Sequence, residues 1–128
     1  MRLLLDTHTL VWWHAQPVRL SEAARTTIEE PGNEVYISVV NAWEMQIKSQ
    51  LGKLKLSRSV MEIIEQEQKV NGFQVLPVTL EHVYTLERLP LHHRDPFDRL
   101  LIAQAEHGNL TLITADDRIK AYEVNTRW

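Results

Sequence analysis

The chain has 128 residues, 44% hydrophobic and 24% charged, with a formal net charge of −3 and no cysteine. That size and balance suit one compact domain, residues 1–128, and the mild acidity argues against a protein that grips nucleic acid with its whole surface, though a local basic patch is still allowed. Without cysteine there are no disulfides, thiolate zinc sites or cysteine nucleophiles, so any metal must take oxygen or nitrogen ligands. No apolar run approaches a membrane span, and Met-Arg-Leu-Leu-Leu-Asp lacks the long apolar segment of a signal peptide, so a cytoplasmic location with no membrane partner is expected.

In chain order, RLLLD reads as a short buried strand ending in an acid. An apolar-rich helix follows from Thr7 to about His14, then a polar helix opened by Ser21 and stopped at Pro31-Gly32. EVYIS gives a second strand, NAWEMQIKSQLG a helix closed by Gly52, and SRSVMEIIEQEQKVNG a helix from a Ser57 cap to Gly72. FQVLPV is a third strand and TLEHVYTLERLP a helix from a Thr79 cap to Pro90. The next helix starts at Asp95-Pro96 and ends at Gly108-Asn109, since Asp accepts bonds from free first-turn amides and Pro tolerates the first helical position. LTLIT is a fourth strand running into ADD, and AYEVNTRW adds an edge strand. Short apolar strands separated by helices predict a three-layer α/β/α sandwich around a mainly parallel sheet of four to five strands.

In such sheets function gathers beyond the carboxyl ends of the strands, which singles out particular acids. Asp6 follows the first strand directly, and Asp116 follows the fourth by two residues. Asp98 shares a helical stripe with Leu101, Ile102 and Ala105 although Asp95 already caps that helix. Glu44 stands in the middle of a stripe made by Val40, Trp43, Ile47 and Leu51. Complementing a helix dipole stabilises by roughly 0.3–1 kcal/mol, whereas a carboxylate facing a core costs several kcal/mol unless compensated. Each acid also has a plain reading: Asp6 and Asp116 as helix caps, Glu44 as the partner of a buried cation. Four together suggest a site in which a hard divalent cation relieves their repulsion, magnesium or manganese by ligand type.

The stretches LLLDTHTLVWW, ISVVNAWEMQIKSQLGKLKL, HRDPFDRLLIAQA and LITADDRI resemble the PIN-domain ribonucleases, specifically the VapC-type toxins of bacterial toxin-antitoxin pairs. The likeness covers nearly the whole chain. It implies a PIN-like fold and Asp6, Glu44, Asp98 and Asp116 as the catalytic, metal-holding acids. Thr114 follows as the hydroxyl residue that helps orient them, and Asp95 in a supporting role. The implied reaction is Mg2+- or Mn2+-dependent hydrolysis of RNA phosphodiesters, tRNA-like molecules among them, leaving a 5′-phosphate and a 3′-hydroxyl. The resemblance also implies a cognate antitoxin and a homodimer. Asp117 reads as a capping or solvated acid.

No acid lies between Met45 and Met61, whereas Lys48, Lys53, Lys55 and Arg58 do, with Arg94 and Arg99 flanking Asp98. These six are the candidate RNA-binding residues; the competing reading is a solvated face. The scattered histidines form no metal-ligand pair, though His92 and His93 are candidates to line a substrate groove. Of Trp12 and Trp13, one is expected in the core and the other on a dimer surface. A HAD-like phosphatase with Asp6 as nucleophile is disfavoured because His8 stands where that pattern needs a second Asp. A noncatalytic PIN-fold protein-binding module would be marked by loss of an acid, and all four are present.

Overall fold

Leu3, Leu4 and Leu5 are completely buried, as a strand covered on both faces requires. They form β1 (Arg2–Leu5), the middle strand of a five-stranded sheet in the computed structural model, which describes residues 1–128. The others are β2 (Glu34–Ser38), β3 (Gln74–Leu76), β4 (Thr111–Ile113) and β5 (Thr126–Arg127). Their order is β3-β2-β1-β4-β5. Every pairing is parallel, with Leu3 opposite Val35 on one side and Leu5 opposite Ile113 on the other. The two-residue β5 is what the expected C-terminal edge strand amounts to.

Because side chains alternate along a strand, β1 serves two cores. Leu3 and Leu5 join Leu10, Ala24, Ile28, Ile37, Met45 and Phe73, while Leu4 joins Val40, Leu101, Ile102, Leu112 and Ile119. The first core is roofed by α1 (Thr7–Ala15), α2 (Glu22–Glu29) and α4 (Val60–Asn71). The second lies under α6 (Pro96–Gly108) and α7 (Asp117–Lys120), with α5 (Leu80–Leu86) against α6. Between them, α3 (Val39–Gln50) contributes to both. The α/β/α sandwich anticipated from the pattern is therefore the architecture, with a wholly parallel sheet.

Several boundaries differ for local reasons. The cap of α4 is Ser59, not Ser57: Ser59 Oγ accepts from Glu62 N at 3.2 Å and Glu62 reaches back to Ser59, a reciprocal pair that Ser57 lacks because Val60 stands three residues on. Helix α3 begins earlier than Asn41, on a Ser38 cap whose own amide donates to Asn41 Oδ1 at 2.7 Å. Its buried face is Val40, Asn41, Glu44 and Met45, so Trp43 and Leu51 are exposed rather than part of an inward stripe with Glu44. Helix α5 stops at Leu86, short of Pro90, and an unanticipated 3-10 turn spans Pro17–Arg19. Neither Trp12 nor Trp13 divides cleanly between core and surface. Both are half-buried, Trp12 against Trp128 and Trp13 donating to Glu67 Oε1 at 2.9 Å.

A fully buried amide ties the second core together. Ser38 Oγ donates to Gln104 Oε1 at 2.5 Å, and Gln104 Nε2 donates to the Pro77 carbonyl at 3.2 Å, joining α6 to the ends of β2 and β3. Gln104→Ala should lower the unfolding free energy by about 1–3 kcal/mol, the cost of stranding buried polar partners. Urea denaturation measures it, and an unchanged midpoint would show that this amide contributes nothing.

Candidate active site

At the carboxyl edge of the sheet β1, β2 and β4 hand the chain to α1, α3 and α7, and these junctions and helices, with α6, bring the acids. Asp6 follows β1 directly and caps α1, its Oδ1 accepting from Thr7 N at 2.7 Å. Asp116 lies just past β4 and caps α7 by accepting from Arg118 N at 2.9 Å. Asp95 caps α6, its Oδ1 accepting from Asp98 N at 3.0 Å. Glu44 and Asp98 project from α3 and α6, which pack on each other. The arrangement brings all four predicted acids and Asp95 together. Carboxylate oxygens of Glu44, Asp95 and Asp98 lie within 4.8 Å of one another, as do ligand atoms of His93, Asp98 and Asp116. A cleft of about 200 Å³ opens onto Asp6 and Asp116 beside His8, Thr9, Trp12 and Ala115.

The carboxylates are held by hydrogen bonds from a buried scaffold. Thr114 Oγ1 donates to Asp6 Oδ2 at 2.8 Å and accepts from Asp116 N at 3.0 Å, so the hydroxyl singled out in the sequence links two of the acids. Glu44, only 2% exposed, accepts from Thr7 Oγ1 at 2.6 Å through Oε1 and from the Lys48 ammonium through Oε2. Asn41 Nδ2 donates to Thr7 Oγ1 and to the Leu5 carbonyl, both at 3.0 Å, fixing Thr7 in turn. His93 Nε2 lies 2.7 Å from Asp98 Oδ2. The Asp95 amide points at His93 Nδ1 from 3.5 Å, so the ring bridges the loop backbone and the Asp98 carboxyl.

Electrostatics follow from this crowding. Burial pushes the Asp98 carboxyl from 3.8 to about 8, and the charges of Asp6, Asp95, Glu44 and Asp116 push the same way. Burial also raises Asp6, against the lowering effect of the Thr114 hydrogen bond. Asp116 feels burial too, but its bonds and charge pairing with Arg118 outweigh that and bring it below the usual range. For Lys48, desolvation is outweighed by Glu44, Asp95 and Asp98, and the ammonium is raised. An acid cluster this dense, with hard oxygen donors and a carboxyl driven to about 8 by burial and its neighbours, fits a hard divalent cation.

The predicted cationic residues divide. Lys53, Lys55 and Arg94 are exposed and without an ion-pair partner. Lys48 is committed to Glu44, and Arg58 to Glu62 and Gln66 of the adjoining α4. Arg99 is structural: it donates to the Pro90 carbonyl at 2.8 Å and to Tyr122 Oη at 2.9 Å, pinning the loop before α6. Asp117 is solvated, with Lys120 3.5 Å away. Sequence reasoning missed Thr7, Asn41, His93 as the partner of Asp98, and Arg118 on Asp116. Only Lys48 carried a legible signal for its actual partner, standing four residues after Glu44 on one helix. An aromatic pair, the exposed Trp43 edge-on to Phe97 with ring centres 4.9 Å apart, sits one residue from Glu44 and Asp98.

Comparison with known proteins agrees on one family. The family model of the PIN domain matches residues 3–125. Ribonuclease VapC22 of Mycobacterium tuberculosis is 31% identical over 122 residues, covering 94% of this chain and 91% of that protein. Among solved structures, VapBC2 from Rickettsia felis bound to a promoter DNA fragment superposes with a TM-score of 0.74 at 15% identity, covering 99% of this chain and 98% of that one. VapBC-5 from Mycobacterium tuberculosis, a member of the VapBC family of toxin-antitoxin systems, gives 0.57 at 20% identity over 94% and 89% of the two chains. These structural likenesses concern the fold.

The raised Asp98 carboxyl has a consequence for stability. A carboxyl whose folded-state value exceeds its unfolded one favours folding while protonated; that contribution is complete below the unfolded value of 3.8 and is lost as pH rises through about 8. In EDTA, the melting temperature of the protein should therefore fall between about pH 5 and 8 relative to Asp98→Asn, which has no such titration. Parallel melting curves for the two proteins across that range would show that Asp98 carries no such strain.

Proposed function

The chain belongs to the PIN-domain family, and from that premise we propose that it is a metal-dependent endoribonuclease acting as the toxin of a VapBC-type pair. The observation that carries this reading is the convergence of Asp6, Glu44, Asp95, Asp98 and Asp116 beyond the carboxyl ends of parallel strands. The relative named a ribonuclease, alike over nearly the full length of both chains, supports the reaction type.

In this reading Asp6, Asp98 and Asp116 hold a Mg2+ or Mn2+ ion, with Glu44 and Asp95 beside them. When bound, such an ion supplies charge neutralisation at the phosphate and a water of lowered pKa. The chain's own groups do the rest. Thr114 fixes Asp6 and the approach to Asp116, while Thr7 and Asn41 fix Glu44. His93 holds the Asp98 carboxyl in one orientation. Rigid placement of this kind separates a site that reacts from one that merely binds. Water attacks phosphorus in line, the bond to the 3′-oxygen breaks, and the proton ends on that oxygen, giving a 5′-phosphate and a 3′-hydroxyl.

Lys53, Lys55 and Arg94, free of acidic partners, are the phosphate contacts, and Trp43 with Phe97 offers an aromatic face on which an unpaired base can stack. A cognate antitoxin and a homodimer belong to the same proposal, the former supported by the VapBC assemblies among the structural relatives. No helix is long and apolar enough to cross a membrane.

The test is cleavage of a mixed tRNA pool by the purified protein with Mg2+ or Mn2+. Cleavage should cease in EDTA, and Asp6→Ala and Asp98→Ala should lower the rate on the order of 10²-fold or more. A folded, antitoxin-free, metal-loaded protein that cuts no RNA would overturn the proposal. Substrate affinity gives a second check. Lys53→Ala, Lys55→Ala and Arg94→Ala should each raise KM and flatten the salt dependence, by about 0.7 in the log–log slope for each single-strand phosphate left without its cation. Arg99→Gln should leave that slope unchanged and lower the melting temperature instead.

A further inference from the structure

The cluster contains two overlapping groups of ligand atoms, Glu44–Asp95–Asp98 and His93–Asp98–Asp116, which share Asp98. Two such groups side by side are what a nuclease holding two ions would need. They differ in one respect. A fixed cation already stands in the first: Lys48, one turn along α3 from Glu44, places its ammonium on Glu44 Oε2, where Asp95 and Asp98 also act on its charge.

We propose that the Lys48 ammonium is a built-in counter-ion filling the Glu44 half of the cluster, so that the site takes one divalent cation on the side of Asp6, Asp98 and Asp116. This rests on the metal-dependent reading above and specifies its stoichiometry.

Three observations support it. Glu44 already holds a cation: Oε1 accepts from Thr7 Oγ1 at 2.6 Å and Oε2 from the Lys48 ammonium, so an ion approaching Oε2 would meet a positive charge seated on that oxygen. The Lys48–Glu44 pair is not an ordinary solvated helix pair: the Glu44 side chain is 2% exposed and that of Lys48 only 29%. Removing the ammonium would leave a buried charge uncompensated. The charge balance points the same way. Five carboxylates face one ammonium and the Arg118 guanidinium. Within the cluster the Lys48 ammonium therefore already supplies part of the positive charge that a second ion would bring. Arg118 is no substitute for Lys48, because it is mostly exposed and bonded only to Asp116, a pair that solvent screens and motion can open.

The experiment counts Mn2+ bound per chain, from the electron paramagnetic resonance signal of free Mn2+ and from calorimetry, on the full chain. Wild type and Lys48→Arg should bind one ion. Lys48→Met should bind two, and Lys48→Met combined with Glu44→Gln should return the count to one. Two ions on the wild type, one on a folded Lys48→Met, or two on the double variant would each overturn the inference while leaving the metal site standing. No ion on any of these proteins would remove the metal-dependent reading and the inference with it. Should Lys48→Met fail to fold, the wild-type count still decides between one ion and two.

Discussion

Repulsion among buried carboxylates is the constraint to which the rest of this molecule is fitted. Five acids crowd one end of the sheet, where burial and mutual charge drive Asp98 to about 8, and a fold that tolerates this must return some stabilisation locally. It does so in three ways. Asp6, Asp95 and Asp116 each cap a helix, so first-turn amides and the positive ends of α1, α6 and α7 face negative charge. Hydroxyl and amide groups from Thr7, Asn41 and Thr114 donate where water has been excluded. Lys48 and Arg118 then bring formal positive charge to the two flanks. The plain reading of Asp6 and Asp116 as helix caps holds, and it does not compete with the proposed one: capping is part of what lets the acid cluster exist.

Helix α3 concentrates much of this arrangement. Asn41, Glu44 and Lys48 share the side of the helix that meets β1, α1 and α6, while Trp43 leaves it toward solvent. One twelve-residue element thus carries a support, an acid, its counter-charge and an exposed ring. The neighbouring α6 repeats the plan with Asp95, Asp98 and Phe97. Because the two helices pack on each other, the aromatic pair and the acid pair keep a fixed relation.

The sheet, the layers and the acids were legible because each rests on a local pattern. Apolar strand runs, an Asp-Pro helix start and carboxylates at strand ends are properties of short stretches. The misreadings come from interactions that no stretch contains. Arg99 looks like a phosphate contact until the loop carbonyl of Pro90 and Tyr122 Oη, 23 residues away, are seen to engage it. His93 lies in a loop without periodicity, so nothing in its spacing connects it to Asp98. Thr7 and Asn41, 34 residues apart, meet only because β1 and β2 lie side by side. The exposed Trp43 shows the remaining weakness: helical spacing alone turns an apolar residue inward, whereas the buried stripe passes through Asn41 and Met45 instead.

The pairing of Leu5 with Ile113 bears on the order of events during folding. Parallel neighbours cannot be joined by a tight turn, and this central contact closes a loop of most of the chain, an entropic cost that is met before the contact stabilises anything. Strand β4 and the acid beyond it come beside Asp6 only through that long-range contact. Until they do, Asp6 and Asp116 are far apart and neither feels the other. The electrostatic strain of the acid cluster is thus a property of the finished fold.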